Sequence, residues 1–571
     1  MKHILIFLKF LFPLYYGKFY LFFILTIVGL LVEALSIVMI IPAISLVSGK
    51  DNMLSDKAKF VFDFLEHFSF SSSSYANLIL AFVLIAFVFK NIYLVIYQIW
   101  QSLFVLNIEK YLSSTLFRSY LNRNMLFFVK NHSGTLIRNM TVEIKNVTKS
   151  ISAFLTLIIE ILMILTITFL LLFVSTKATM ISFVLLGGYG FIIAFYNYKK
   201  IKLLSVSRAD IDAKYNKNLI DTLNSINDVK LLDKKVFFLN IHDQIKNKYV
   251  LNTKSFTIIN SFPKPLLEML VILLIVGFLF YSVNISGKLS YALQILTVFS
   301  VAALRLLPAV SRIVLSFQSL KYRYISFKIL LNELTKNSKI FSEKKPLIEN
   351  KKDINFLESI RFENVSFSYD NQKILKEQNI KIKKGEFFLL YGASGSGKTT
   401  ILNLLMGLIS PSEGKILLDG TNIAENISGL RKIISYVPQH IYLLDGSIKE
   451  NIAFGENEHE IDIARIDRAI KLAKLEDLVM KNDISNYYLG EKGSKISGGQ
   501  IQRIGVARAL YRSPKIIILD ESTNGLDYNT EKLFLEDLIK IKKEITIIFV
   551  SHREHIKNYA DNILELNTNE L

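Results

Sequence analysis

Up to about residue 320 the chain alternates long apolar stretches with polar ones, and beyond residue 360 it changes to short apolar runs set between helical patterns. A bilayer core of about 30 Å needs roughly 20 mostly apolar residues in a helix. Six stretches meet that length: Tyr20–Val47, Asn77–Phe104, Ile151–Val174, Thr179–Tyr198, Pro265–Val283 and Ala292–Phe317. They predict an all-helical transmembrane domain over residues 1–320. The first eighteen residues have a basic start and an apolar run but no small-residue cleavage pattern, so they read as an interfacial helix rather than a removed leader. Charge, Ser and Asn over 321–355 predict a linker. From 356 to 571 the β-rich runs alternating with helices predict an α/β domain with a mainly parallel sheet.

Composition agrees with a membrane half: the 571 residues are 51% hydrophobic. The formal charge of +19 is compatible with nucleic acid or with an anionic membrane face, but a nucleic-acid protein leaves six apolar spans unexplained. No nucleic-acid partner is therefore expected. With no cysteine, disulfides, thiolate metal sites and cysteine nucleophiles are excluded. The connections at 105–150 and 199–254 carry 7 and 12 Lys and Arg, whereas 48–76, Lys177 and 284–291 carry 3, 1 and 1. That bias turns the long connections and both termini toward the cytoplasm. Their length predicts helices that run well past the bilayer.

Phe387–Tyr391 reads as a strand, and the run from Gly392 to Thr400 that follows it opens a helix. Gly392, Ser394, Gly395, Ser396, Gly397, Lys398, Thr399 and Thr400 make up a phosphate-binding loop. Glycines let backbone N–H groups curl around phosphates, Lys398 reaches the β and γ oxygens, and the Thr399 hydroxyl suits Mg²⁺. Ile516–Leu519 is a continuous apolar run, as in a buried parallel strand, and ends in Asp520 and Glu521. Asp520 suits the metal and Glu521 the attacking water, since phosphoanhydride hydrolysis needs positioning and charge neutralisation rather than covalent chemistry. ATP and Mg²⁺ are the expected cofactors. Between these motifs lies Ile496-Ser497-Gly498-Gly499-Gln500 ahead of a helical pattern.

With these motifs in this order, the chain resembles an ATP-binding cassette (ABC) exporter, a six-span domain followed by a nucleotide-binding domain. The resemblance implies that Tyr369 stacks on adenine and that Gln439 senses Mg²⁺ and takes part in catalysis. Glu491-Lys492-Gly493 would touch the coupling loops, Asp527 would sit in the loop crossing to a partner cassette, and His552 would contact the γ-phosphate. Coupling helices are implied near 121–140 and 223–240. Ser497, Gly498, Gly499 and Gln500 would complete the ATP site of a second subunit, which makes the chain half of a homodimer. Three positions depart from the usual pattern: Ile496 for Leu, Asn524 in the crossing loop, and Ser551 before the histidine. None removes a charge or a phosphate ligand.

Basic residues inside spans are costly and suggest function. Counting inward at about 1.5 Å per residue places Lys90 and Arg305 roughly 20 Å deep and Arg312 and Lys264 roughly 30 Å deep. Doubled in a dimer, they predict two basic tiers for a multiply anionic group. Glu33 and Glu268 also lie in spans as candidate counter-charges, and Lys264 is placed to snorkel to the inner interface. The outer loop carries Leu54, Ala58, Val61, Leu65 and Phe68 at helical spacing. It predicts an external amphipathic helix at about 51–70, lying on the membrane or capping the dimer.

These features, with EALSIVMIIPAISLVSG and LRLLPAVSRI, resemble the bacterial flippases of lipid-linked oligosaccharides used in protein N-glycosylation. The cargo implied is a polyprenyl-pyrophosphate oligosaccharide carried to the periplasmic leaflet of the inner membrane. A general lipid or multidrug ABC exporter is the alternative.

Overall fold

The computed structural model describes residues 2–39, 72–174, 176–281, 289–335, 354–369, 372–393, 395–480, 483–485, 487–523 and 525–566. The external helix expected at 51–70 lies outside these residues, as do Ser394 and Asn524. The chain divides into two compact units, 1–123 with 127–343, and 124–126 with 344–571.

Among the described residues of the first unit, six helices are long and apolar enough to cross a membrane. The first, Lys2–Val38, contains Pro13 and breaks at Tyr15, whose φ of −123° leaves the helical region. The second, Ser72–Leu121, and the fourth, Thr176–Asn224, have 50 and 49 residues. At 1.5 Å per residue each is about 75 Å long, more than twice the apolar thickness of a bilayer. The third is Ile144–Val174 and the sixth Leu289–Tyr322. The fifth crossing is shared by Lys235–Ser261 and Pro263–Tyr281, which meet at Phe262 just before Pro263. Short helices Met125–Lys130, Ser133–Arg138 and Ile226–Leu231 lie between the long ones.

The linker expected from residue 321 begins instead as packed helix. The sixth helix continues to Tyr322, and Tyr324–Thr335 forms a further helix that buries Phe327, Leu330, Leu331 and Leu334 against Ile108, Leu112, Val147 and Ile151. Apolar residues at helical spacing explain the difference, since they would be costly in an exposed linker.

Sequence patterning gave no sign of a buried charge junction in this unit. Ser133–Arg138 runs into a π-helical turn, Asn139–Glu143, which widens the helix at the point where Glu143 turns inward. The Glu143 carboxylate is fully buried, 3.7 Å from Arg138 and 3.5 Å from Arg208. Arg208 also donates to Asp212 at 3.1 Å and to the Ser326 hydroxyl at 2.9 Å. Three helices distant in sequence are thereby tied by one guanidinium.

Among the described residues, the second unit has an antiparallel sheet beside the mainly parallel one predicted. β1 (Ser359–Tyr369), β2 (Gln372–Lys383), β4 (Glu413–Leu418) and β5 (Thr421–Asn422) form an antiparallel sheet in the order β2-β1-β4-β5. β6 (Ile434–Val437), β7 (Ile516–Asp520), β8 (Thr546–Ser551), β3 (Phe387–Gly392) and β9 (Asn562–Leu566) form a parallel sheet in the order β6-β7-β8-β3-β9. Successive side chains of a strand point to opposite faces. Ile517, Leu519, Ile547 and Phe549 enter one core while Ile516, Ile518, Ile548 and Val550 enter the other. Burial on both faces is why these strands read as unbroken apolar runs.

Candidate functional site: a nucleotide cradle and a charged membrane layer

Four neighbouring strands of the parallel sheet deliver the predicted ATP residues to one edge. Gln439 follows β6, Asp520 closes β7 with Glu521 next, His552 follows β8, and the phosphate loop follows β3. In an open parallel sheet this carboxyl edge is where ligands bind.

The loop is shaped by Gly392, Gly395 and Gly397, at φ of 156°, 86° and 83°. Gly392 also admits a close approach, because a Cβ there would lie 2.7 Å from the Leu566 carbonyl and 2.9 Å from Ser396 Oγ. Helix Lys398–Leu405 begins at once, with Thr399 and Thr400 in its first turn, so its free N–H groups face the loop. The Lys398 ammonium folds back to donate to the carbonyls of Gly392 and Ala393, both at 2.7 Å. Burial pulls its pKa down, against the pull of Glu521 and Asp520. Ser396 Oγ is buried without a hydrogen-bond partner inside the loop. An orphaned hydroxyl and a lysine held only by carbonyls fit a phosphate-bearing ligand.

Asp520 is buried, which raises its carboxyl above the usual aspartate range. The Tyr436 hydroxyl, donating at 3.0 Å, works the other way, while Glu521 adds to the rise. Sequence reasoning missed Tyr436; its place beside the metal carboxylate depends on the β6–β7 pairing, where it lies opposite Ile518. Glu521 itself adopts φ +48°, an uncommon state for a residue with a side chain, fixed by its N–H donating to Val550 at 3.1 Å. Gln439 Nε2 donates to its carboxylate at 2.6 Å, and His552 Nδ1 lies 3.5 Å from the other oxygen. Asp520, Thr399 and Gln439 each offer an oxygen of the kind Mg²⁺ prefers and would be the residues to hold it.

Ser497 caps helix Gly498–Tyr511 in a capping box: its hydroxyl accepts from the Gln500 amide at 3.3 Å, and the Gln500 side chain accepts from the Ser497 amide at 2.9 Å. Ser497 and Gly498 remain exposed. Asp527 caps helix Tyr528–Ile541, accepting from the Thr530 amide and hydroxyl at 3.0 and 2.7 Å, which holds its carboxyl below the usual range. Tyr369 ends β1 with its ring edge-on to Phe367.

Two family descriptions match this chain: ABC transporter over residues 375–524 and ABC transporter transmembrane region over residues 19–307. The chain belongs to the ABC transporter family.

A lactococcin-G-processing and transport ATP-binding protein from Lactococcus lactis subsp. lactis is 30% identical over 498 residues, 84% of this chain and 69% of that protein. An ATP-dependent lipid A-core flippase from Ralstonia nicotianae is 39% identical over 212 residues, 36% of each chain. The matched stretch thus spans only about a third of the flippase's length. The structure of a bacterial Atm1-family ABC exporter with ATP bound is similar in fold, with a TM-score of 0.70 and 21% identity, covering 94% of this chain and 93% of that one. The six long helices followed by the α/β unit are thus the ABC exporter fold, and this ABC transporter is a multi-pass membrane protein.

The basic tiers differ from the expectation of cations free to meet cargo. Lys90 and Arg305 both reach Glu33 Oε1, at 3.8 and 2.5 Å, inside the bundle. Arg312 forms a two-pronged pair with Glu160 at 2.5 and 3.3 Å. Lys264 lies 3.9 Å from Glu268, and both are exposed. Four cations therefore share three carboxylates. Desolvation explains the pairing, since an isolated charge in a low-dielectric layer costs more than one with its counter-ion. The Glu160 contribution was missed although it is the only acid in its apolar stretch. Beside this layer, an apolar cavity of about 500 Å³ lies between the third, fourth and sixth spans, lined by Ile161, Leu171, Phe183, Phe191, Val310 and Phe317.

Proposed function

We propose that the chain is one half of a homodimeric ATP-driven exporter of the bacterial inner membrane, with its cassette in the cytoplasm, moving an amphipathic lipid-like or drug-like molecule outward. The observation that carries the engine is Glu521 held between Gln439 and His552, one residue beyond Asp520. ATP phosphates lie in the loop from Gly392 to Thr400, with Lys398 exchanging its two carbonyl partners for phosphate oxygens. Thr399, Asp520 and Gln439 would hold Mg²⁺, which would supply charge neutralisation. Glu521 orients the attacking water and takes its proton, Gln439 keeps the carboxylate in place, and His552 contacts the γ-phosphate. The Ser497–Gln500 turn of a second copy, with Ser497 and Gly498 exposed, closes the site, and Asp527 crosses at that boundary. Tyr369 stacks on adenine. Short helices Met125–Lys130, Ser133–Arg138 and Ile226–Leu231 fall where coupling helices are implied.

The largely apolar lining of the membrane cavity and the carboxylates beside Lys90, Lys264, Arg305 and Arg312 favour an amphipathic cargo over a polyanion. The lipid A-core flippase among the relatives points the same way. In proteoliposomes, apolar drugs or lipids stimulate ATPase activity; no stimulation by any apolar amphiphile overturns this cargo class.

A second reading, flipping of polyprenyl-pyrophosphate oligosaccharide, draws on one observation: Lys90 and Arg305 share a single carboxylate and leave one positive charge over per chain. Lys90, Lys264, Arg305 and Arg312 would then meet pyrophosphate. Loss of labelled-glycan flipping in Arg305→Ala/Arg312→Ala, with basal ATPase retained, supports it; unchanged flipping removes it.

A further inference from the structure

The nucleotide-binding unit carries a second basic site that its ATP chemistry does not use. β1 and β2 pair antiparallel with Arg361 opposite Lys381 and Ser359 opposite Lys383. Alternation sends Ile360, Phe362, Ile380 and Ile382 into the core and leaves Arg361, Lys381 and Lys383 exposed on the other face. Like charges directly across a strand pair are destabilising. The turn after β2 adds Lys384, and the turn before β8 adds Lys543, whose backbone lies under Gly385. These five cations line one pocket of about 570 Å³, with Glu358 the sole acid in its wall.

Four acids on the neighbouring segments are engaged elsewhere. Glu363 pairs with Lys415 at 3.3 Å, Asp561 with Lys542 at 2.5 Å, and Asp419 accepts the amides of Leu357, Glu358 and Ser359. Glu386 is buried and accepts the Lys383 amide at 3.0 Å. Among the described residues, none of the five cations forms an ion pair. That contrasts with the membrane unit, where Lys90, Lys264, Arg305 and Arg312 each lie within reach of a carboxylate.

The pocket is also remote from the ATP cradle. Gly385 and Lys384 precede β3, whereas the phosphate loop follows it. Six residues at about 3.3 Å each separate the two ends by about 20 Å.

We propose that this pocket binds a phosphate group carrying two or more negative charges, Arg361 offering its planar fork and the lysines point charges. The group is either a soluble polyphosphate or the headgroup of an anionic lipid. The site does not depend on which cargo is exported.

The test uses the full chain in nanodiscs with the ATP site saturated by Mg·ADP. Acylation of lysines is read by mass spectrometry, and tripolyphosphate affinity by calorimetry. Tripolyphosphate in phosphatidylcholine nanodiscs protects Lys381 and Lys383 if the source is soluble; nanodiscs containing cardiolipin, whose headgroup bears two phosphates, protect them without additive if it is a headgroup. In the soluble case, Lys381→Glu/Lys383→Glu weakens tripolyphosphate binding by about tenfold or more while Lys471→Glu, an exposed charge elsewhere, does not. In the headgroup case, Arg361→Gln reduces protection of Lys381 and Lys383 and Lys471→Glu does not. Absence of protection in both arms overturns the proposal. So does equal protection at Lys471, or an equal effect of Lys471→Glu, because diffuse charge then explains the result.

Discussion

Arg305 and Lys90, on the sixth and second membrane helices, reach the same carboxylate oxygen of Glu33 on the first. One acid therefore holds two cations in a layer with little water. Glu33→Gln leaves both without a counter-charge, and removing one side of such a buried cluster costs about 3–5 kcal/mol. Thermal unfolding in detergent should show a lowered Tm for Glu33→Gln and a smaller loss when Lys90→Met is added. An unchanged Tm in the single variant contradicts the pairing.

At the other buried junction, Arg208→Met leaves Glu143 facing only Arg138 and frees Ser326. The expected destabilisation is about 3 kcal/mol, and Glu143→Gln in the same chain recovers part of it because the two losses are coupled. Additive Tm shifts would show that the two side chains act independently.

Catalysis divides by residue. Glu521→Gln keeps ATP binding and lowers turnover by at least about 100-fold, the usual scale for a general base. Lys398→Ala instead weakens nucleotide binding. Steady-state hydrolysis and fluorescent-nucleotide titration separate the two effects, and normal turnover in Glu521→Gln contradicts the role given to that carboxylate.

Gly392→Ala tests the loop's shape rather than its charge. A methyl group there meets the Leu566 carbonyl at 2.7 Å and Ser396 Oγ at 2.9 Å, so the loop must shift. ATP affinity should fall by about tenfold or more with little change in the melting of the rest of the chain. Unaltered affinity would mean that the loop tolerates a side chain at the end of β3.

Gly187 and Gly190 face the apolar membrane cavity, and a Cβ at Gly187 meets nothing within 4 Å. Gly187→Trp fills that space. Amphiphile-stimulated ATPase should drop several-fold while basal activity is retained; intact stimulation would place the cargo elsewhere.

The ATP cradle was legible in the sequence because its parts are local. A glycine loop, a strand ending in two acids and a capped helix each announce themselves within a few residues, and the parallel sheet only has to align their ends. The membrane pairs were not legible in the same way. Arg312 and Glu160 stand 152 residues apart, and nothing in either stretch says that they face each other. Helical periodicity placed Lys90 and Arg305 at similar depth and offered Glu33 as a counter-charge, without revealing that this one acid joins both. Tyr436 was invisible for a related reason, since its partner Asp520 lies 84 residues away on the neighbouring strand. The packed helix Tyr324–Thr335 was hidden by the polar residues that follow it.

Glu33 has a consequence for how the polypeptide is made. The segment bearing Arg305 leaves the ribosome long after the one bearing Glu33, yet an unpaired arginine in hydrocarbon costs roughly 2.5–3.5 kcal/mol to insert. The earliest segment must therefore wait beside Lys90 until the last one arrives, so that topogenesis of the carboxyl-terminal crossing depends on the amino-terminal one.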